Sequence, residues 1–597
     1  TLPENVNSER KEIVPTYNRA GALEKVNYDS IEYVKNIAYN AKGQRLLIAF
    51  GNDVMTRYTY STTTFRLLRQ KSEKYTYSQV GDAHIYTPES GTKRQDDAFD
   101  FDLAGNILKI LNRTTDCGIS GSALGNDALD REFEYDPLYR INSAKGRESD
   151  TQNENDYLYS DAPVPGNPNA NHVRAYTRQY NYDRLGNVQQ LKQLGTNGFS
   201  RNFNYNSVVN TLAEIEDGSN ATIQTFSYDN AGNQITAGTT RNYVWNAANQ
   251  LITYYNQVGS SDPTIFAQYD YSGQNRLSKI VRTGTSATPI YERTIYIDGI
   301  FEYHVLENGT TYEKNYVHIM DDKSRIAMVR IGDQFPDDIS DSITYTLEDQ
   351  IGSSSLRLNT SGGVIDKEEY YPFGDSSLRT FDKKRYRYVG KEKDTESGLY
   401  YYGARYCSAW TCRFISVDQL AADYPYLTPY NYAGNKPITH KDIDGLQSTG
   451  DEKVDNGGGG NQQNSNSQTN APNQTTAQTQ VNGNSQANPT NNPNVIESGQ
   501  VKVPEGKQVQ FSQGDITKQV HDLPTVEVGS SDNIKTDFYA EPMVLISDSS
   551  QTKVAGYIVR GSAEGKFGKV EGELTGFSAG FENKTGTGKY NLAVDAG

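Results

Sequence analysis

Tyr182-Asp183-Arg184-Leu185-Gly186-Asn187-Val188 and Tyr228-Asp229-Asn230-Ala231-Gly232-Asn233-Gln234-Ile235 share one internal order. Phe99-Asp100-Phe101-Asp102-Leu103-Ala104-Gly105-Asn106-Ile107 repeats it. An aromatic residue precedes an acid, two residues follow, then Gly-Asn, then an alternating apolar tail. Weaker copies run from Tyr39-Asn40 to Gly43-Gln44-Arg45-Leu46, Tyr135-Asp136 to Tyr139-Arg140-Ile141, Trp245-Asn246 to Asn249-Gln250-Leu251, and Tyr271 to Asn275-Arg276-Leu277. Alternation with period two fits a strand that buries one face. Gly and Asn tolerate positive φ, so they supply the turn, and the next alternating segment is the return strand. One copy would be an ordinary turn; seven in the same order predict a hairpin repeat. The fold class expected is all-β, an antiparallel sheet long enough that it must curl to bury its inner face. A short helix near Ser61–Gln70 is the one competing possibility.

Working outward, composition agrees. The chain has 44 Tyr against 19 Phe and 2 Trp. A buried tyrosine needs a partner for its hydroxyl, so this excess points to repeated half-buried strands with rings inward and hydroxyls at a polar edge. The 58 Lys+Arg against 74 Asp+Glu leave a net charge of −16, which argues against a nucleic-acid or anionic-membrane surface. No apolar run approaches the roughly 18 residues of a membrane helix. Cys117, Cys407 and Cys412 are too few and too odd for a disulfide framework. The six histidines show no metal-ligand spacing, and phosphate-loop and Ser/His/Asp signatures are absent, so no cofactor or metal is expected. The chain starts at Thr1 and stops at Gly597 in mid-pattern, and it is read as a fragment open at both ends.

The repeat unit resembles the YD repeat of bacterial Rhs proteins, of the C component of Tc insecticidal toxin complexes, and of teneurins. The run Glu132–Glu148 is most similar to the Tc branch. The resemblance implies that the strands of residues 1–340 spiral into part of a hollow β-shell. A second set of runs resembles the Rhs repeat-associated core that ends such a shell: Tyr345–Ser353, Tyr371-Pro372-Phe373-Gly374, Tyr388–Glu392, Gly398–Tyr406, Arg413–Asp418, and Tyr430-Asn431-Tyr432 with Asn435-Lys436-Pro437. The core is assigned to 341–446. Residues 447–494 are Gly, Asn, Gln, Ser and Thr and read as a disordered polar linker. Residues 495–597, where alternation returns with Gly572, Gly576 and Gly580, are a variable C-terminal, candidate toxin, region outside the resemblance.

The core closes in Asp442-Ile443-Asp444-Gly445-Leu446. In the Rhs family the matching run is Asp-Pro-x-Gly-Leu, and the chain cuts itself after the Leu. The resemblance therefore implies a scissile bond at Leu446–Gln447, with Ile443 replacing the proline. It implies an aspartic-protease-like pair, Asp418 and Asp442, in which one carboxylate activates water and its protonated partner assists the carbonyl or the leaving amide. Asp444 is a possible accessory carboxylate. Arg413 is expected to hold one carboxylate by bidentate pairing.

The resemblance implies a bacterial toxin-delivery protein, secreted or on the cell surface, whose shell encloses its own C-terminal segment as cargo and releases it by autoproteolysis. The resemblance implies a shell-completing N-terminal part or B-component-like subunit and a pore or secretion-system delivery component as partners. The alternative is a YD-repeat adhesin or glycan binder that keeps its tail. A third reading makes 495–597 a self-associating β-rich stalk.

Overall fold

The protein is described by a computed structural model covering residues 1–449 apart from 82, 152–169, 196–197, 322–323 and 382, with the backbone of short strands between 526 and 594. The expected linker therefore falls outside the described residues except for 447–449. The expected variable region appears only as those strands.

Successive hairpins build one sheet from Ile13–Tyr17 to Ser376–Arg379. Every strand pairing is antiparallel, and neighbours in sequence are neighbours in the sheet. The exception is the long strand Leu67–Val80, which pairs with Gln95–Phe101 along Arg69–Ser72 and with Ala83–Pro88 along Tyr75–Val80. Val526–Val528 adds antiparallel to Ala83–Pro88. No α-helix occurs among the described residues. Ser61–Gln70, a helix candidate in sequence, is instead a turn closed by Phe65 N–H to Ser61 O, leading into Leu67–Val80. The tertiary sheet overrides a weak local propensity.

The repeat turns share one geometry. Asp183 Oδ1 accepts from Leu185 and Asn187 N–H, both at 2.9 Å, while Gly186 N–H donates to Asp183 O at 3.2 Å. Asp136, Asp229 and Asn246 do the same. So do Asp349 and Asn359, within the segment assigned to the core. The fourth turn residue has positive φ, +86° at Gly186 and +83° at Gly232; Tyr139 and Asn249 take that place in weaker copies, at 62° and 59°.

The tyrosines are explained by a second recurring bond. Tyr135, Tyr182, Tyr205 and Tyr271 donate to the carbonyls of Ile107, Ile141, Val188 and Leu251 at 2.6–2.8 Å. Each acceptor is the residue that leaves an earlier turn. The indole of Trp245 makes the same bond to Gln234 O at 2.7 Å. These repeats thus pack the ring and satisfy its polar atom on a neighbouring hairpin, whereas Phe101 has only the ring to pack. A leucine would bury the ring's area but leave that carbonyl unpaired.

The sheet curls until its two halves meet. Val6 N–H donates to Asn315 Oδ1 at 2.7 Å, Gln70 Nε2 to Glu348 O at 2.7 Å, and Arg94 Nε to Gly362 O at 2.9 Å. It does not close: among the described residues Ile13–Tyr17 pairs only with Leu23–Tyr28, and Ser376–Arg379 only with Val364–Tyr370. After Arg379 the chain crosses the sheet. A four-stranded patch of Glu392–Lys393, Tyr400–Tyr401, Tyr406–Ser408 and Arg413–Phe414 follows. Tyr400, Tyr402, Trp410, Phe414 and Tyr432 of this closing segment share one apolar cluster with Phe99, Tyr180, Leu191, Ile215 and Tyr254 of the wall. A buried charge network pins it further: Arg276 pairs with Glu392 and Asp394, both at 2.7 Å, and Lys279 with Asp394 at 2.9 Å. No described helix is long and apolar enough to cross a membrane.

Candidate cleavage site

Residues Lys441–Thr449 fold back as a small hairpin. Asp442 bridges antiparallel to Ser448, Ile443 N–H donates to Gln447 O at 3.1 Å, and Thr449 N–H to Lys441 O at 2.9 Å. A proline at 443 could not make the second bond, so the isoleucine adds a backbone contact across the turn. Asp444 Oδ1 accepts from Leu446 N–H at 3.0 Å and Gln447 N–H at 3.2 Å. Asp444 is therefore a turn residue, bonded to both sides of the expected scissile bond. Gly445 stands at φ +84°, and a Cβ there would lie 2.8 Å from Arg405 N. Only glycine gives both that φ and that approach. The loop is tied to Gly403-Ala404-Arg405: Ala404 N–H donates to Asp444 O at 2.9 Å, and Arg405 Nε to Gly445 O. Lys391 Nζ donates to Ile443 O; burial lowers it to about 8.

Asp418 and Asp442 meet on one nitrogen. Arg405 Nη2 lies 2.8 Å from Asp418 Oδ2 and 3.5 Å from Asp442 Oδ2. The guanidinium is buried, and its plane stacks 3.8 Å over Phe414. Burial pushes Asp442 up to about 6, against the pull of Arg405 and of Gly445 N–H, which donates to Oδ1 at 2.6 Å; Asp444 adds to the rise. Burial also lowers Arg405, opposed by Asp418 and Asp442. Arg405, Asp418, Asp442, Leu446 and Ser448, with Tyr424, Thr428 and Pro429, line a cavity of about 20 Å³. That is room for one water among polar groups.

Arg413 is elsewhere. It donates to Asn210 O at 3.2 Å and stacks over Tyr205 and Tyr430. The expected pairing of Arg413 with a carboxylate is thus corrected: Arg405 does that work. Arg405 lies in the Gly398–Tyr406 run, but no spacing rule separates it from Arg413. Its distinguishing signal is tertiary, the approach of its backbone to Gly445. Leu446 is half-buried and Gln447 exposed. Among the described residues no cluster suits a metal ion, and Cys117, Cys407 and Cys412 are buried free thiols.

A curled sheet of tyrosine-locked hairpins is thus crossed by a segment that brings Asp418 and Asp442 to one arginine nitrogen. The chain is homologous to toxin subunit YenC1 of Yersinia entomophaga, with 27% identity over 482 residues, 73% of this chain and 47% of that one. It spans about half of that relative's length. Among solved structures it is similar to a chain of the TcdB2-TccC3-Cdc42 crystal structure, with TM-score 0.63 and 27% identity over 73% of this chain and 20% of that one. It is likewise similar to a chain of a Photorhabdus luminescens Tc holotoxin pore with a mutated TccC3, with TM-score 0.64 and 27% identity over 75% and 21%. No protein-family model matches the chain.

Proposed function

We propose that the chain belongs to a bacterial toxin-delivery protein, exported with its complex, that encloses its C-terminal segment in the β-shell and severs it after Leu446. The observation that carries this reading is the single Arg405 nitrogen bonded to both Asp418 and Asp442 beside a water-sized cavity lined by Leu446. In the proposed reaction, water held in that cavity adds to the Leu446 carbonyl carbon. Asp418, paired with Arg405 at 2.8 Å, takes the proton of the water. Asp442, whose buried carboxyl retains a proton more readily than an ordinary one, passes it to the Gln447 nitrogen. The C–N bond breaks, leaving the Leu446 carboxylate and the Gln447 amine. The proposed boundary between shell and cargo is therefore the 446/447 bond, and cleavage frees a cargo that could not leave while tethered. TccC3 occurs with TcdB2 in the solved neighbours, which supports a B-component-like partner that completes this open shell. The test is the intact mass of the purified chain under denaturing conditions. A break after Leu446 that vanishes in Asp418→Asn and in Asp442→Asn is expected; normal cutting by either variant refutes the assigned roles.

A further inference from the structure

One wall of the cleavage cavity is the return loop Thr428–Asn431, which the repeats hold in place. The loop after Asp418 returns to it, since Asp418 N–H donates to Pro429 O at 2.9 Å and Arg405 Nη1 to the same oxygen at 3.3 Å. Thr428, Pro429 and Asn431 of that return line the cavity. Three successive repeat turns hold it. Thr428 N–H donates to Leu185 O at 2.8 Å, and Asn435 Nδ2 to Gly186 O at 2.7 Å. Asn210 Nδ2 donates to Thr428 Oγ1 at 3.1 Å, while Asn210 O receives Arg413. Tyr430 Oη donates to Gly232 O at 2.7 Å, and Gln234 N–H to Ile415 O at 3.0 Å.

The positive-φ residue of each turn is the point of contact. A Cβ on Gly186 would lie 2.9 Å from Asn435 Nδ2; one on Gly232 would lie 2.7 Å from Val417 Cγ2 and 2.8 Å from Tyr430 Oη. The equivalent Gly43 has φ +74° and nothing within 4 Å. Backbone conformation alone accounts for glycine at 43, whereas 186 and 232 must also admit the core segment.

We infer that the turns Asp183–Asn187, Asn206–Thr211 and Asp229–Asn233 are positioning elements for self-cleavage: Asp418 reaches Arg405 and Asp442 only once these repeats have stacked, so winding of the wall times the cut. This rests on the cleavage reading above. The bonds join residues some two hundred positions apart, so a chain whose wall is still unwound has nothing to hold Thr428–Asn431 against the cavity. A loop that cut from local structure alone would release cargo before a shell existed to hold it.

The test follows cutting of the full chain in pulse-labelled cell-free synthesis, with Gly232→Ala, Thr428→Val, Thr428→Ser and Gly43→Ala beside the wild type. Gly232→Ala is expected to slow cutting on the order of 10–100-fold, the scale set by a misplaced reacting group. It should also displace the pH profile of the cutting rate, because Asp418 leaves Arg405. Thr428→Val should slow cutting and Thr428→Ser restore it. Gly43→Ala, with equal backbone strain and no contact, should cut as the wild type does, and limited trypsin digestion should leave the wall intact in all four. Equal slowing by Gly43→Ala and Gly232→Ala overturns the timing, as does wild-type cutting and pH profile in Gly232→Ala. A wild-type chain that never cuts sinks the cleavage reading itself, a separate outcome.

Discussion

Replacing Arg405 by glutamine is the sharpest perturbation of the site. The guanidinium meets Asp418 at 2.8 Å and Asp442 at 3.5 Å, with side-chain exposures of 2% for Arg405, 13% for Asp418 and 2% for Asp442. An exposed ion pair contributes about 0–1 kcal/mol, but this one is desolvated. Removing one partner of a buried pair leaves uncompensated charge and costs about 3–5 kcal/mol. The Arg405 charge is what most opposes the rise of Asp442; without it only Lys391 and the Gly445 N–H pull that carboxyl down. Asp442, already pushed up to about 6, would rise further. In the proposed reaction Asp442 must hold a proton to give, so the alkaline limb of the cutting rate should move to higher pH. The rate at neutral pH should fall on the order of 10²–10³-fold, the usual loss for one preorganised charge-stabilising donor. Lysine should recover part of the rate, because it restores the charge without the fork that also reaches Gly445 and Pro429. The assay is the fraction cut with time on denaturing gels across pH, beside thermal melting of the uncut chain. An Arg405→Gln chain that cuts at the wild-type rate with an unmoved profile would refute the reasoning, whatever its melting point.

Asp442 also links stability to pH. Its folded value of about 6 lies above the ordinary 3.8, so the folded state holds the proton, and the resulting stabilisation is lost as pH rises from about 4 through 6. The term amounts to about 3 kcal/mol. Asp442→Asn should therefore gain melting temperature over Asp418→Asn between pH 4 and pH 7, both being uncut; a constant gap would contradict it. Arg276→Met should cost about 3 kcal/mol, because it takes one cation from the buried Asp394 and Glu392 and leaves them to Lys279 and Arg385. The check is melting of the uncut Asp418→Asn chain, and an unchanged midpoint would show that the network does not fasten the core segment. Tyr182→Phe should cost about 1–2 kcal/mol, because the Ile141 carbonyl loses its 2.7 Å bond. Chemical denaturation of the same background would show it, and a neutral effect would remove hydroxyl pairing from the account of the tyrosines.

The hairpins were legible in sequence because their chemistry is local. Asp183 bonds residues two and four positions ahead of itself, and Gly186 needs its φ whatever lies beyond the turn. Such information survives in any seven-residue window, and repetition removes the ambiguity of one copy. The same turn bonds recur at Asp349–Ser353 and Asn359–Gly363, so the sheet runs past residue 340, where the sequence reading ended the wall.

The site divides along the same line. Asp442, Asp444 and Gly445 form a turn whose spacing is written in sequence, and that turn bonds internally. Arg405 and Arg413 were not separable in this way. Both are arginines beside aromatic residues in the closing segment, and both are buried. What assigns their roles is which carbonyl each approaches: Gly445 O and Asp444 O lie against Ala404-Arg405, whereas Asn210 O lies against the Arg413 guanidinium. Those partners are about 40 and 203 residues away along the chain, so no local window contains the answer. Arg413 still serves the proposed chemistry, at one remove. By holding Asn210 O and stacking on Tyr430, it fastens the return loop that brings Asp418 to Arg405. An Arg413 substitution should thus slow cutting through the position of Asp418 and leave Arg405–Asp442 in place. Mass analysis of Arg413→Met beside Arg405→Gln distinguishes the two: the first should cut slowly with a fraction rescued by Arg413→Lys, and equal loss in all three would return Arg413 to the carboxylates.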